Sequence, residues 1–217
     1  MLSRHPISET HAVEIPDETM HRRGCTAVVE TALGRLPILS AGLWGNVKIA
    51  WHQRVIADRL RPYRTIVRHL ESVESELPPL VGADLNAEPD SGELRWLTGA
   101  DAGAADDTSR DLYFVDTWRR DDSAGYTVDA STNPLVTFAR GRWRTDYLLA
   151  GTAPRDRYTY GWTVEGCGRL GVGLDRPASD HYGLWSELLA TSLPMAPAAA
   201  WRSAVEPPRV GRTSCKA

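Results

Sequence analysis

The fold is decided by one stretch, Val81-Gly82-Ala83-Asp84-Leu85-Asn86-Ala87-Glu88-Pro89. A mostly apolar run over residues 77–82 leads into it, and Pro89 ends it. Because side chains alternate between the two faces of a strand, Asp84 and Asn86 are expected on one face at the end of a buried strand. A carboxylate and an amide there would form a polar pair where a sheet opens to solvent. The alternative is an ordinary turn, since Asp and Asn with Pro nearby favour one.

Length and composition limit the possible classes of protein. The chain has 217 residues, enough for one sizeable core or at most two small ones. Its net charge of -3 gives no case for tight nucleic-acid binding by the whole chain, although a local arginine-lined cleft stays open. The 3 cysteines lack metal-ligand spacing, which predicts reduced thiols in a cytoplasmic protein. Residues 1–10 contain no apolar run that could be a signal peptide, and no stretch of the sequence approaches the length of a membrane span.

Local patterns predict the first elements. Residues 8–24 are mostly polar and predict a surface connection with a short strand. Strands at 26–30 and 36–40 around Ala32-Leu33-Gly34 predict a hairpin, with Pro37 at an edge or at a strand start. A helix is expected to begin near Pro62, because apolar residues recur at three- and four-residue steps after it. These residues are Tyr63, Ile66, Val67, Leu70 and Val73.

The rest of the chain predicts mostly strands. Ser91 is expected to cap a short helix over residues 91–97, and His69 is interpreted as structural. Residues 112–118 form a compact apolar segment, strands are predicted at 125–129, 142–149 and 182–189, and the Gly-rich residues 158–172 are expected to contain another. Residues 1–190 are expected to form one domain, and the Pro/Ala-rich residues 191–217 a disordered tail. This order of elements predicts an α/β (α+β) fold, a two-sheet αββα sandwich with helices outside two packed sheets.

Two later motifs carry candidate chemistry. Arg144-Thr145-Asp146-Tyr147 lies in a predicted strand, with Arg144 and Asp146 on one face, and Ser179-Asp180-His181 follows a Gly-rich loop. An adjacent carboxylate and imidazole can bind a metal or act as a base, and a second carboxylate can orient the imidazole. Each motif alone is common. The combination of three motifs in this order is specific.

Together the motifs resemble the endonuclease/exonuclease/phosphatase family, which are metal-dependent phosphohydrolases with the deoxyribonuclease I fold. The family's Gly-Asp-Phe-Asn-x-x-Pro corresponds to residues 82–89, with one extra residue between Gly and Asp. Its Arg-x-Asp-Tyr corresponds to residues 144–147, and its Ser-Asp-His to residues 179–181. The resemblance extends from residue 2 to residue 190.

The resemblance implies a site and a cofactor. It implies that Asp84 positions or deprotonates the attacking water and that Asn86 donates hydrogen bonds to the phosphoryl oxygens. Asp180 and Asp84 would hold Mg²⁺ or Mn²⁺. His181, oriented by Asp146, would act as a base or as a phosphate contact.

The resemblance also implies substrate contacts. It places them at Asn86, Tyr126, Thr127, Asn133 and Arg144. The implied substrate is a phosphoester, whether in a nucleic acid, a phospholipid head group or a small molecule, because the fold alone does not fix the substrate.

The sequence departs from the family pattern in two places. The opening strand, and the helix that carries a metal-binding Glu, have no counterpart, so the first third of the domain is expected to be missing and a sheet edge exposed. Gly42 stands where the family has a His that contacts phosphate. Four Glu are possible substitutes for the absent ligand but are expected at the surface: Glu14, Glu18, Glu88 and Glu93.

The sequence therefore leaves three functions open. The first is a metal-dependent phosphohydrolase, and the second is a catalytically impaired remnant that retains phosphate, metal or partner binding. The third, a nucleic-acid-binding module, has only scattered arginines in its favour.

Overall fold

A computed structural model describes residues 1–16, 22–43, 60–100, 110–118, 124–137, 141–153 and 157–194. These residues form ten strands and two helices. The elements are β1 (Ile7–Ile15), β2 (Arg22–Thr31), β3 (Gly34–Gly42), α1 (Arg61–Ser72), β4 (Leu80–Asp84), α2 (Gly92–Thr98), β5 (Tyr113–Asp116), β6 (Val128–Asp129), β7 (Arg142–Trp143), β8 (Asp146–Thr152), β9 (Tyr160–Leu170) and β10 (Gly183–Ser192).

Two sheets form the layers of a sandwich. The larger sheet has the strand order β1-β2-β3-β4-β8-β5, and only its β3–β4 pair is parallel. An antiparallel pair, β9 and β10, forms the smaller sheet across one face of it, and β6 pairs with β7 at the side. The expected two-sheet sandwich is confirmed. Both described helices pack on the opposite face of the larger sheet, so the described part of the chain has one helical layer and not two.

The helical face of the large sheet holds the hydrophobic core. The buried positions of α1 are Tyr63, Ile66, Val67 and Leu70, as the spacing predicts. They pack with Val81 and Ala83 of β4. Burial of each large apolar side chain contributes about 1.5–3 kcal/mol. Because side chains alternate between the two faces of β4, those of Leu80 and Asp84, and the Gly82 position, face the smaller sheet.

Several local predictions are confirmed. A two-residue loop joins β2 to β3, with Thr31 opposite Gly34. Pro62 lies in the first turn of α1. The Ser91 hydroxyl accepts a hydrogen bond from the Leu94 amide at the start of α2. His69 is structural, since its Nε2 lies 2.9 Å from the hydroxyl of Thr26.

Three predictions are wrong, for physical reasons. Residues 8–24 contain most of a nine-residue strand, β1, which lies at the sheet edge and is exposed along most of its length, so its polar side chains conceal it. Pro37 lies inside an interior strand, but it precedes Ile38, the first residue paired with β4, so its missing N–H removes no bond to that strand. The predicted strand 142–149 is broken at Arg144 and Thr145.

The end of the chain extends the predicted domain slightly. The strand β10 continues to Ser192, two residues past the expected boundary at 190. The predicted disordered tail lies mostly outside the described residues, from position 195 onward. Neither described helix is long and apolar enough to cross a membrane.

Candidate active site

The register of the large sheet places the candidate residues side by side. Gly42 pairs with Asp84 across the parallel β3–β4 pair, and Asp84 pairs with Asp146 across the antiparallel β4–β8 pair. These residues end or begin their strands on the face opposite the core. Two motifs that are 62 positions apart along the chain therefore meet at one end of the central sheet.

His181 completes a cluster of three titratable side chains. Its Nδ1 lies 2.8 Å from Asp146 Oδ2, within hydrogen-bond distance, and the predicted orienting role of Asp146 stays a prediction. One ligand atom from each of Asp84, Asp146 and His181 lies within 4.8 Å of the other two. Each of the three side chains is partly exposed, so solvent and a substrate can reach the cluster.

Neighbouring threonines hold Asp146 in place. The backbone amides of Thr145 and Asp146 both donate to the hydroxyl of Thr127, at 3.2 Å, and this explains the break between β7 and β8. The Thr145 hydroxyl in turn donates to Asp146 Oδ2, at 3.0 Å. The carboxylate that faces His181 is thus fixed by contacts that the sequence motif did not predict. The family resemblance predicts Thr127 on the substrate side, whereas the structure buries this residue completely.

The loop that carries His181 is tied down at both ends. The His181 amide donates to the Ser179 hydroxyl at 3.1 Å, and the Ser179 carbonyl accepts from Asn133 Nδ2 at 3.0 Å. On the other side, the Tyr182 amide donates to the Thr127 carbonyl at 2.7 Å. These contacts set the position of the imidazole relative to β8.

Asp84 and Asn86 fit both interpretations of residues 81–89, a polar pair at the end of a strand and a turn. Asn86 follows the end of β4 and adopts a left-handed backbone with φ 48°. Its backbone amide donates to Asp84 Oδ1 at 3.0 Å, which closes a turn of the kind that Asp favours. Its side-chain Nδ2 donates to Asp84 Oδ2 at 2.9 Å. The pair is therefore a turn that also holds a carboxylate at the site. The expectation that both residues lie on one strand face is wrong, because the strand ends at Asp84.

Two buried tyrosines hold this turn by hydrogen bonds to its backbone carbonyls. The Tyr63 hydroxyl of α1 donates to the Leu85 carbonyl at 3.0 Å, and the Tyr147 hydroxyl of β8 donates to the Ala87 carbonyl at 2.7 Å. The backbone on each side of Asn86 is therefore anchored to a separate element. Burial raises the pKa of Tyr147 further, so its hydroxyl stays a neutral donor.

Electrostatic interactions within the cluster raise the pKa values of Asp84 and His181. Burial and, second, the neighbouring charge of Asp146 raise the pKa of Asp84 to about 6. The hydrogen bond from Asn86 and the charges of His181 and Arg22 act in the opposite direction. The hydrogen bond to Asp146 raises the pKa of His181. Two carboxylates that crowd each other in this way are a common feature of functional sites.

The predicted donor role of Asn86 does not fit the structure. An amide group has two N–H donors, and those of Asn86 are used by Asp84 Oδ2 and by the Leu43 carbonyl, at 2.8 Å. No N–H remains for a phosphoryl oxygen, and only the amide oxygen is available as an acceptor. Asn86 acts here as a positioning residue for Asp84.

Two other predicted substrate contacts are also corrected. Arg144 is only 2% exposed, and its guanidinium forms an ion pair with Asp116 and lies 4.7 Å from the ring centre of Tyr147. Asn133 is 1% exposed and is used to hold the Ser179 carbonyl. Both side chains support the site from the interior. Tyr126 is half-buried, and its predicted contact with substrate stays a prediction.

The metal ligands predicted from the sequence are partly assembled. Asp84 belongs to the cluster, whereas Asp180 is not one of its three members within the described residues. The carboxylate of Asp180 accepts from the Ser179 hydroxyl at 3.2 Å, and its charge contributes to the raised pKa of His181. Asp180 thus lies near the cluster without joining it.

No Glu within the described residues joins the cluster. Glu14 and Glu88 are exposed, as expected, and Glu14 pairs with Arg23 at 2.6 Å. Glu93 is buried at 4% exposure, contrary to expectation, and Glu18 lies outside the described residues. At Gly42, a Cβ atom would meet no atom of the described residues within 4 Å, so among these residues the space beside Asp84 is open.

Comparisons with known proteins connect this geometry to a fold class. No protein-family model matches the sequence, and no curated protein matches it. Solved structures do match. TDP2 from D. rerio, solved with a single-strand DNA product, is 19% identical over 84% of this chain and 68% of that chain, with a TM-score of 0.62. An endonuclease/exonuclease/phosphatase from Bacteroides vulgatus is 13% identical over 86% of this chain and 67% of that one, with a TM-score of 0.58.

A third match points the same way. The human Nocturnin catalytic domain, solved with a bound sulfate anion, is 14% identical over 87% of this chain and 60% of that chain, with a TM-score of 0.55. The chain has the deoxyribonuclease I-like fold of the endonuclease/exonuclease/phosphatase proteins. It spans between 60% and 68% of the length of these three structures.

Proposed function

We propose that the chain is a metal-dependent phosphohydrolase, which cleaves a phosphoester bond by activating water. The observation that carries this proposal is the cluster of Asp84, Asp146 and His181, whose ligand atoms lie within 4.8 Å of one another at the end of the central sheet. The deoxyribonuclease I-like fold supports a phosphoesterase, although fold alone does not establish activity.

The residues present fit a divalent metal ion. The raised pKa of Asp84 reflects a partly buried carboxylate next to a second one, and a cation would relieve that repulsion. Asp84 and the free amide oxygen of Asn86 are oxygen ligands of the type that Mg²⁺ and Mn²⁺ prefer, and Asp180 is close enough to be a third candidate. When bound, such an ion would offset negative charge on the phosphoryl oxygens.

His181 is suited to accept a proton from water. When its Nδ1 donates to Asp146, the other ring nitrogen, Nε2, is the basic one. The carboxylate of Asp146 stabilises the imidazolium that forms, in agreement with the raised pKa of His181. Asp84, held by two hydrogen bonds from Asn86, would orient the attacking water. This division of roles is that of general base and positioning carboxylate.

The direct test is hydrolysis of a generic phosphodiester, bis-p-nitrophenyl phosphate, with Mg²⁺ or Mn²⁺. Asp84→Ala and His181→Gln should each lower the rate by about 10²-fold or more. Asp175→Ala is the matched control, because Asp175 is an exposed carboxylate in the loop that precedes His181, and it should leave the rate unchanged. Absence of metal-dependent turnover by the unaltered chain, in Mg²⁺ and Mn²⁺ alike, would refute the proposal.

The second candidate is a catalytically impaired remnant that binds metal or phosphate without turnover. Two observations favour it, namely the open space at Gly42 and the absence of a Glu from the cluster in the described part of the chain. Titration calorimetry with Mn²⁺ separates the two functions. Binding that depends on Asp84, without hydrolysis of any phosphoester, supports the remnant.

For the substrate, we propose a nucleic acid as the first class to test. The support is the similarity to TDP2 from D. rerio, which was solved with a single-strand DNA product. Phospholipid head groups and small phosphoesters are the alternatives. Comparing kcat/KM on a short DNA strand, on glycerophosphodiesters and on p-nitrophenyl phosphate under one metal condition would rank the three classes.

A further inference from the structure

One row of residues leads across the large sheet from β2 to the cluster. The antiparallel β2–β3 register continues to the ends of these strands, because a Cβ atom at Gly24 would lie 3.6 Å from the Cβ atom of Ala41. This register places Arg23 opposite Gly42, which in turn pairs with Asp84 of β4. Residues opposite each other on paired strands share a face, so Arg23 and Asp84 lie on one face, two strand spacings or about 10 Å apart.

The position between Arg23 and Asp84 has no side chain. It is Gly42, where a Cβ atom would meet no atom of the described residues within 4 Å. On the other side of Asp84, the side chains of Asp146 and His181 occupy the site over β8. A phosphoryl group bound at Asp84 would therefore find room over β3, between Asp84 and an arginine side chain that is long enough to cross one strand.

The charge of the site favours a further cation on this side. Asp84 and Asp146 are two carboxylates, and an anionic phosphoryl group adds a negative charge that one divalent ion does not fully balance. Arg23 and Gly42 both line the cavity between the two sheets. Among the described residues that line it, Arg23 has the only charged side chain. A guanidinium from β2 is thus the cation available over Gly42.

The present partner of Arg23 holds it weakly. Its Nε lies 2.6 Å from Oε1 of Glu14 on β1, on the side away from Asp84. The two side chains are 71% and 61% exposed, and an ion pair so exposed contributes little, because water screens both charges. Two oxygens of a phosphoryl group match the planar guanidinium and can accept two parallel hydrogen bonds. Exchange of Glu14 for a phosphoryl group is therefore favourable.

We propose that Arg23 binds the phosphoryl group of the substrate, by leaving Glu14 and reaching across Gly42. This role rests on the proposed function, because it requires a phosphoryl group at Asp84. It suits phosphodiesters and phosphomonoesters, both of which keep two unesterified oxygens for the guanidinium. Glu14 then competes with the substrate for Arg23, so the two members of one ion pair affect phosphate affinity in opposite directions.

The experiment measures the dissociation constant of inorganic phosphate for the full chain, in the presence of Mg²⁺, by titration calorimetry. Arg23→Gln should weaken binding by about tenfold, the loss of one charge-assisted hydrogen bond at a partly exposed site. Arg23→Lys should give an intermediate value, since lysine keeps the charge without the planar fork. Glu14→Gln should strengthen binding by up to about fivefold, because the competing ion pair is gone.

A second ion pair between β1 and β3 provides the matched control. Arg35 pairs with Glu9 of β1, but it lies at the other end of β3 from Gly42. Arg35→Gln should therefore leave phosphate affinity unchanged, and urea unfolding verifies that each variant is folded. The proposed contact is overturned if Arg23→Gln and Glu14→Gln shift the affinity in the same direction, as a merely structural ion pair would. It is also overturned if Arg23→Gln binds phosphate normally or if the unaltered chain binds none.

Hydrolysis of bis-p-nitrophenyl phosphate separates this contact from the proposed function. Arg23→Gln should raise KM by about the same factor as the phosphate dissociation constant and should change kcat less, since a bound phosphoryl group is held in the ground state as well. Metal-dependent turnover with an unchanged KM in Arg23→Gln overturns the contact and leaves the proposed function intact. Phosphate binding that depends on Arg23, in a chain without turnover, supports the contact and refutes the proposed function.

Discussion

Asp84 provides a quantitative test of the electrostatics of the site. Its pKa is about 6 in the folded protein, against an ordinary value of 3.8. The folded state therefore binds this proton more tightly than the unfolded state does. It follows that the contribution of Asp84 to stability is complete below pH 3.8 and is lost as the pH rises through 6. At neutral pH the ionised carboxylate destabilises the metal-free fold.

The magnitude follows from the shift. A difference of about two pKa units corresponds to roughly 3 kcal/mol, but the carboxylate is partly exposed and water screens it, so we expect about 1–2 kcal/mol. Asp84→Asn removes the titration. The unfolding free energy of the unaltered chain, measured relative to that of the variant, should fall by this amount between pH 4 and pH 7.5. The hydrogen bonds from Asn86 favour the ionised carboxylate, and their effect is already included in the pKa of about 6.

Urea denaturation at several pH values, with and without Mg²⁺, provides the assay. At pH 7.5 the unaltered chain should gain about 2.7 kcal/mol when Mg²⁺ is at one hundred times its dissociation constant, whereas Asp84→Asn should gain little. Asp175→Asn is the control and should behave like the unaltered chain. If the unfolding free energies of the unaltered chain and of Asp84→Asn differ by the same amount at every pH, the argument from burial is refuted. If both proteins gain equally from Mg²⁺, Asp84 is not a ligand of the metal.

Three further predictions concern separate parts of the molecule. Gly42→His should raise kcat/KM for a phosphodiester, because an imidazole would enter open space beside Asp84; an unchanged or lower value contradicts this. Asn133→Ala should free the loop that carries His181 and lower kcat while leaving Mn²⁺ affinity unchanged by calorimetry, and a loss of affinity would count against it. Burial and, second, a neighbouring histidine lower the pKa of His69, so stability should fall as the pH drops below 6.5, and His69→Asn should flatten that part of the urea-derived pH profile.

Local signals in the sequence were sufficient for the elements that stabilise the core. The spacing of apolar residues after Pro62 predicts α1, and the Ser91 cap predicts α2, because both depend on neighbours within one helical turn. The edge strand β1 gave a weaker signal, which predicts only a short strand within residues 8–24. Its first six residues are exposed and only Val13 and Ile15 at its end are buried, so little hydrophobic alternation is there to detect, and backbone pairing with β2 continues over the exposed part.

The motifs predict that Asp84, Asp146 and His181 share a site, whereas most of the contacts around these three side chains are not encoded in the motifs. Motif order placed Asp84, Asp146 and His181 together, and the structure brings them within 4.8 Å. The roles of Thr127 and of Asn86 depend on which backbone groups approach their side chains. The contacts of Thr127 follow from the strand register, and those of Asn86 from its left-handed backbone conformation. No spacing rule in a single sequence encodes either of them.

The same register limits which residue could complete the metal site. Glu14 of β1 pairs with Arg23 of β2. The β2–β3 register, which pairs Cys25 with Ser40, continues to Arg23 opposite Gly42, and Gly42 pairs with Asp84. One row of residues therefore crosses the sheet from Glu14 to Asp84. Three strand spacings separate these two carboxylates, about 14 Å, which excludes Glu14 as a ligand shared with Asp84.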